Sequence, residues 1–199
     1  MNVEHKNITS AECITALKEE GALLLKEFVP VRQQEQIVDE VLSYKLTPVD
    51  RSNHTIPEQF HDIGWDYRNS PNSVFNLGRQ ICSLVRPELS PWFINQVRAQ
   101  LYSPGEVGIE WHRDYKRDLR VVAVASFIGP AQFDIRLDSG EATWELEPGD
   151  LVLMRGALLN GRIDDRPQHR VSAPESGNRL SIAYRQVSSE VPDLEAKHE

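Results

Sequence analysis

From Trp92 to Val187 the chain is a succession of short β-rich segments: INQVRAQLY, VGIEWHRD, RVVAVASFI, QFDIRL, ATWELE, DLVLMRG, HRVSA and RLSIAYRQV. Turn signals separate most of them: Ser103-Pro104-Gly105, Gly129-Pro130, Asp138-Ser139-Gly140 and Pro148-Gly149-Asp150. A strand alternates its side chains between two faces. Many short strands with tight turns therefore bury a core by stacking or curling their sheet. The pattern predicts a sandwich or jelly roll over residues 91–187.

The preceding residues, 1–90, carry helix signals. Thr9-Ser10 stands before AECITALKEE, and Gly21 follows it, which is the start and stop chemistry of a short helix. Leu23 to Val29 reads as a buried strand. Pro30 opens a second helix over Val31 to Tyr44, with Ile37, Val41 and Leu42 as its apolar stripe. Residues 45–72 are polar, with three prolines and the aromatics Phe60, Trp65 and Tyr67. They predict a long surface loop acting as a lid, or a pair of short strands. A third helix is expected over Ser73 to Val85, with Phe75, Leu77, Ile81 and Leu84 inward. The fold class is thus α+β and mainly β, with the N-terminal helices packed on one face. The chain is long enough for one domain, residues 1–187, followed by a flexible acidic tail over 188–199.

The sequence has no apolar run of bilayer-spanning length and no basic segment leading into an apolar one at its start, so a cytoplasmic protein is expected. Cys13 and Cys82 form no C-x-x-C pair and suit a reducing compartment, although a disulfide between them stays open. A net charge of −8 argues against a protein that neutralises duplex phosphates, despite the local cluster Arg113, Lys116, Arg117 and Arg120.

Within the β region, Trp111-His112-Arg113-Asp114 is followed 57 positions after His112 by Gln168-His169-Arg170. Residues two apart on a strand point the same way, so His112 and Asp114 face one side together. A second strand can bring His169 to them. Two imidazoles and a carboxylate form the facial triad of non-haem Fe(II) oxygenases, which leaves coordination positions for a 2-oxo acid and O2. On these three residues alone, a zinc site and a structural pair remain open. In Arg179-Leu180-Ser181-Ile182-Ala183-Tyr184-Arg185, Leu180, Ile182 and Tyr184 share one face and the two arginines share the other. Their Cα atoms lie about 20 Å apart at roughly 3.3 Å per residue. If that face lines a cavity, each long side chain can meet one carboxylate of a five-carbon diacid.

In this order the motifs resemble the AlkB-type Fe(II)- and 2-oxoglutarate-dependent dioxygenases. AQLYSPGEVGIEWHRD is similar to that family's Asn-x-Tyr-x-Pro-Gly segment leading into His-x-Asp. ELEPGDLVLMRG, NRLSIAYRQ and DIGW resemble three further family segments, and together they cover residues 60 to 185. The resemblance implies a double-stranded β-helix core, Fe(II) held by His112, Asp114 and His169, and 2-oxoglutarate held by Arg179, Arg185 and Tyr102. Gln100 replaces the family's Asn, and Trp65 stands where the family stacks a substrate ring. It implies O2-dependent hydroxylation of a C–H bond with release of succinate and CO2, or N-demethylation when that carbon is bonded to nitrogen. Lys116 reverses the charge that repair members place two residues after the ligand Asp, near the base. The substrate is left between a methylated nucleobase and a small metabolite, with no membrane partner; nucleic acid is not favoured by the acidic charge. The other reading is a cupin-like metal-binding jelly roll without oxygenase activity.

Overall fold

The structure, a computed structural model, describes residues 2–4, 8–51, 54 and 58–190. Strand β1 (Asn2–Glu4) leads to helix α1 (Ser10–Glu20). Thr9 caps α1 reciprocally: its hydroxyl accepts from the Glu12 amide at 3.2 Å, while Glu12 accepts from the Thr9 amide at 2.8 Å. Gly21 ends the helix with φ +91°, a conformation that needs no Cβ. Then come β2 (Ala22–Lys26), α2 (Val31–Leu42), β3 (Thr47–Asp50), β4 (Glu58–Asp66) and α3 (Asn72–Leu89). The lid region is therefore the predicted strand pair, with Thr47 opposite Asp62 and Asp50 opposite Gln59.

The eight expected strands follow: β5 (Gln96–Tyr102), β6 (Gly108–His112), β7 (Asp118–Phe127), β8 (Ala131–Leu137), β9 (Gly140–Leu146), β10 (Leu151–Arg155), β11 (His169–Val171) and β12 (Arg179–Val187). Among the described residues, one curled sheet runs β1-β2-β10-β7-β12-β5-β4-β6-β11-β8-β9, with β3 hydrogen-bonded beyond β4. All its pairings are antiparallel except β1 with β2. This is the mainly β jelly roll, with three helices, that the strand pattern predicts.

Alternation along β12 divides the interior in two. Leu180, Ile182 and Tyr184 turn to the helices and join Leu17, Ile37, Leu77, Ile81 and Val85 in one core. Each such buried side chain contributes about 1.5–3 kcal/mol. The Tyr184 hydroxyl donates to the Val74 carbonyl at 3.1 Å and ties α3 to the sheet. The other face of the sheet curls around a second core, with Phe60, Tyr102, Val122, Phe133, Ile135, Trp144 and Met154.

Two helix stripes shift from expectation. On α2, Ile37 and Val41 are buried four residues apart, but Leu42 lies about 100° further round and is 44% exposed. On α3 the fully buried set is Val74, Leu77, Ile81 and Val85, with Phe75 and Leu84 only partly covered. Cys13 and Cys82 are both free thiols. Among the described residues, no helix is long and apolar enough to cross a membrane. Residues 191–199 of the expected tail lie outside the described residues.

Candidate metal centre and its anion pocket

His112 ends β6 and His169 begins β11, and antiparallel pairing sets them directly opposite each other. Their ring centroids are 4.3 Å apart. Asp114 is not on the strand. It lies two residues past the end of β6, where the buried Arg166 donates to its backbone carbonyl. Arg113 in turn donates to the Arg166 carbonyl at 3.0 Å, so the segment is clamped from both sides. Asp114 Oδ2 then stands 3.9 Å from His169 Nε2. The three ligand atoms lie within 4.8 Å of one another.

The close approach of β6 and β11 depends on Gly108. Its φ is +77°, and a Cβ there would meet the Val171 carbonyl oxygen at 2.3 Å. Gly108→Ala is expected to destabilise the fold by about 1–3 kcal/mol through strain and clash. It should also weaken metal binding by pushing β6 off β11. Thermal melts with and without added metal measure both effects.

Protonation states suit a cation. The Nδ1–H tautomer of His112 donates to the Glu110 carbonyl at 2.7 Å, which leaves Nε2 with its lone pair. His169 Nδ1 faces the Pro167 carbonyl at 3.4 Å in the same sense. Burial, with His169 adding to it, pushes His112 down to about 4. Burial also lowers His169. The Asp114 carboxyl is pushed up by burial, but His169, Arg185 and His112 outweigh this and leave it below its ordinary range. Two neutral imidazoles and a carboxylate are what a divalent cation requires.

Across the interior, β12 presents Arg179, Ser181, Ala183 and Arg185 to the second core, as its alternation predicts. The two arginines differ. Arg179 is 2% exposed, and its Nε and Nη1 have no hydrogen-bond partner. Its guanidinium lies 5.1 Å from the Tyr102 ring centroid. Burial lowers its pKa, with Tyr102 opposing. A buried cation without an anion is costly, so this environment fits an incoming carboxylate. Ser126, opposite Ser181 on β7, also has a buried hydroxyl without a partner. Gln100 lies on the same interior face, opposite Ser181 on its other side.

Arg185, by contrast, has carboxylates beside it, although its Nε, like that of Arg179, makes no hydrogen bond. Its Nη2 is 3.4 Å from Asp114 Oδ1 and its Nε is 3.3 Å from Asp118 Oδ2. Asp118 is 1% exposed, and burial pushes its carboxyl up to about 6 against the pull of Arg185. Sequence reasoning missed Ser126, Asp118 and Arg166. Only the alternation along RVVAVASFI hinted at Ser126, because Ser126 shares a parity with Val122 and Val124.

Trp65 is not among the residues at the metal ligands, although it lines the cleft beside Arg185. Interior positions of β4 are Phe60, Asp62, Gly64 and Asp66, whereas Ile63 and Trp65 pack towards the helices. The Trp65 ring meets Tyr44 edge-on, centroids 5.6 Å apart. Lys116 sits at the rim, 3.7 Å from Asp164. The basic cluster is likewise dispersed: Arg120 donates to the Leu89 carbonyl at 3.3 Å, and Arg117 lies over the Tyr115 ring at 5.1 Å.

No family model and no curated protein matches the sequence. Solved structures match the fold. A prolyl-4-hydroxylase from Pseudomonas putida is 18% identical, with TM-score 0.67 over 90% of this chain and 99% of its own. A 2OG-Fe(II) oxygenase family oxidoreductase from Burkholderia pseudomallei is 15% identical, with TM-score 0.64 over 93% and 94%. The non-haem α-ketoglutarate-dependent epimerase SnoN, from nogalamycin biosynthesis, is 11% identical, with TM-score 0.73 over 94% and 87%. At these identities the likeness is one of fold, and the chain shares the jelly roll on which these three enzymes are built.

Proposed function

We propose that this chain is an Fe(II)- and 2-oxoglutarate-dependent oxygenase that hydroxylates a C–H bond of its substrate. One observation carries the reading: a two-His, one-carboxylate cluster and a buried guanidinium without an anion face the same curled interior. His112, Asp114 and His169 hold the metal. Arg179 receives the far carboxylate of 2-oxoglutarate, with the Ser126 hydroxyl available beside it and Tyr102 walling the pocket. Gln100 lines the path between that pocket and the centre. Arg185, pinned by Asp118, holds Asp114 in place and supplies positive charge beside the centre. Phe133, stacked 5.4 Å from His169, keeps water from one flank.

When bound, iron, 2-oxoglutarate and O2 supply an oxidative decarboxylation that places one oxygen atom in succinate and the other on the substrate carbon, with CO2 released. The protein contributes position, charge and exclusion of water. The resemblance to AlkB-type enzymes rests on the order of motifs in the chain. The substrate reading favours a small molecule over a methylated base, because the Trp65 ring is packed edge-on against Tyr44 and Lys116 is paired with Asp164. A cupin-like metal site without redox chemistry offers no reason for Arg179 to be buried without an anion.

The test is an anaerobic titration of metal-free protein with Fe(II), then 2-oxoglutarate, then O2. A weak visible charge-transfer band is expected on adding 2-oxoglutarate, bleaching with O2 as succinate accumulates. Tight metal binding with neither band nor succinate would transfer the assignment to the cupin-like reading.

A further inference from the structure

Resting on the oxygenase reading, we infer that the substrate carries a carboxylate, and that Arg98 receives it. Arg185 is shared between the metal centre and an open cleft of about 800 Å³, a size suited to a small molecule. Arg98, Gly64, Asp66, Tyr115 and Arg117 also line this cleft.

The register of the sheet places these groups in rows. Arg185 lies opposite Gln96, and Gln96 opposite Asp66. In the next row Ala183 lies opposite Arg98, and Arg98 opposite Gly64. Arg98 is therefore flanked on both sides by the smallest side chains on this face, which leaves room beside its guanidinium. Asp62 engages the Arg98 Nε and Nη2. Among the described residues, Nη1 makes no hydrogen bond. Arg98 remains 36% exposed while Asp62 is 12% exposed, so the carboxylate anchors the fork from below and the fork opens to the cleft. A planar cation held in one orientation is organised in advance for an oxyanion.

Charge bears on the class of anion. Arg98, Arg117 and Arg185 face Asp62 and Asp66, and Arg185 is further paired with Asp114 and Asp118. A phosphate dianion would be repelled by these carboxylates more strongly than a monoanion meeting the open edge of Arg98. A flipped base needs aromatic or apolar faces to stack between. Here Trp65 lines the cleft with its ring already packed against Tyr44, and Arg117 covers Tyr115.

Acetate is the probe. With protein loaded with Mn(II) and saturated with 2-oxoglutarate, paramagnetic relaxation of the acetate methyl protons reports acetate bound near the metal. Enhanced relaxation is expected for acetate and not for acetamide. Arg98→Gln should weaken acetate binding at least about tenfold, the loss of one charge-assisted pair. Gly64→Leu should block it without backbone strain, because a Cβ at Gly64 has the Val97 carbonyl oxygen as its nearest neighbour at 3.8 Å. Equal binding by all three proteins, equal effects of acetate and acetamide, or no enhancement at all would overturn the inference. The Fe(II)–2-oxoglutarate band is recorded on the same proteins loaded anaerobically with Fe(II) in place of Mn(II). Its absence in the wild type would remove the oxygenase reading itself, whereas its presence alongside any of those results removes the carboxylate inference alone.

Discussion

Asp114→Ala is expected to abolish 2-oxoglutarate turnover while the protein stays folded. The carboxylate is one of three ligand atoms gathered within 4.8 Å, and ligands of one centre act as a unit rather than additively. Even partners outside the ligand set commonly cost 10–100-fold in metal affinity, so loss of a ligand is expected to cost at least about 100-fold. The fold should survive for a specific reason. Asp114 lies beyond the end of β6, and its carbonyl, which Ala retains, is what Arg166 holds. Arg185 keeps Asp118 as its partner, so the substitution leaves no buried cation alone. Metal binding by calorimetry and succinate formation are the measurements, with circular dichroism to report the fold. Wild-type turnover in this variant would mean that the three residues are not the metal centre.

Much of this arrangement was legible in the chain. The β segments are short, rich in strand-forming residues and mostly bounded by Pro and Gly turns, so eight strands emerge within a few residues of their predicted bounds. His112 and His169 were visible because a His-x-Asp pair and a distant His stand in the order in which a known family places its motifs. The two faces of β12 were visible because Leu180, Ile182 and Tyr184 give one parity an unambiguous apolar character.

What was not legible depends on register between distant strands. Trp65 was expected at the centre, but β4 has apolar residues at both parities: Phe60 on one, Ile63 and Trp65 on the other. A strand with this ambiguity takes its facing from its neighbours, and pairing with β5 turns Trp65 to the helices. Asp118 reads as a turn residue, and nothing local says that β7 will bury it against Arg185. Arg166 lies in a polar loop whose course is set only when β10 and β11 take their places. These three cases share one cause: a contact between residues far apart in sequence leaves no periodicity behind.

Arg179→Met is expected to move two properties in opposite directions. The 2-oxoglutarate requirement should rise by roughly 30- to 1000-fold, since a buried Arg–carboxylate pair is worth about 2–4 kcal/mol when its hydrogen bonds are charge-assisted. The metal-free, cosubstrate-free protein should be unchanged or more stable. Arg179 is 2% exposed with Nε and Nη1 unpartnered, so in that state the fold bears the cost of a desolvated charge. Methionine fills a comparable volume against Tyr102 without the charge, and its flexible thioether adapts to an irregular space. A structural arginine would behave differently, because its removal would lower the melting temperature and leave cosubstrate affinity alone. Thermal melts across a 2-oxoglutarate series separate the cases. The wild type should gain stability with added diacid by mass action, and Arg179→Met should begin at the same melting temperature or higher and gain almost nothing. A lower starting temperature with an undiminished gain would exclude Arg179 as the carboxylate anchor.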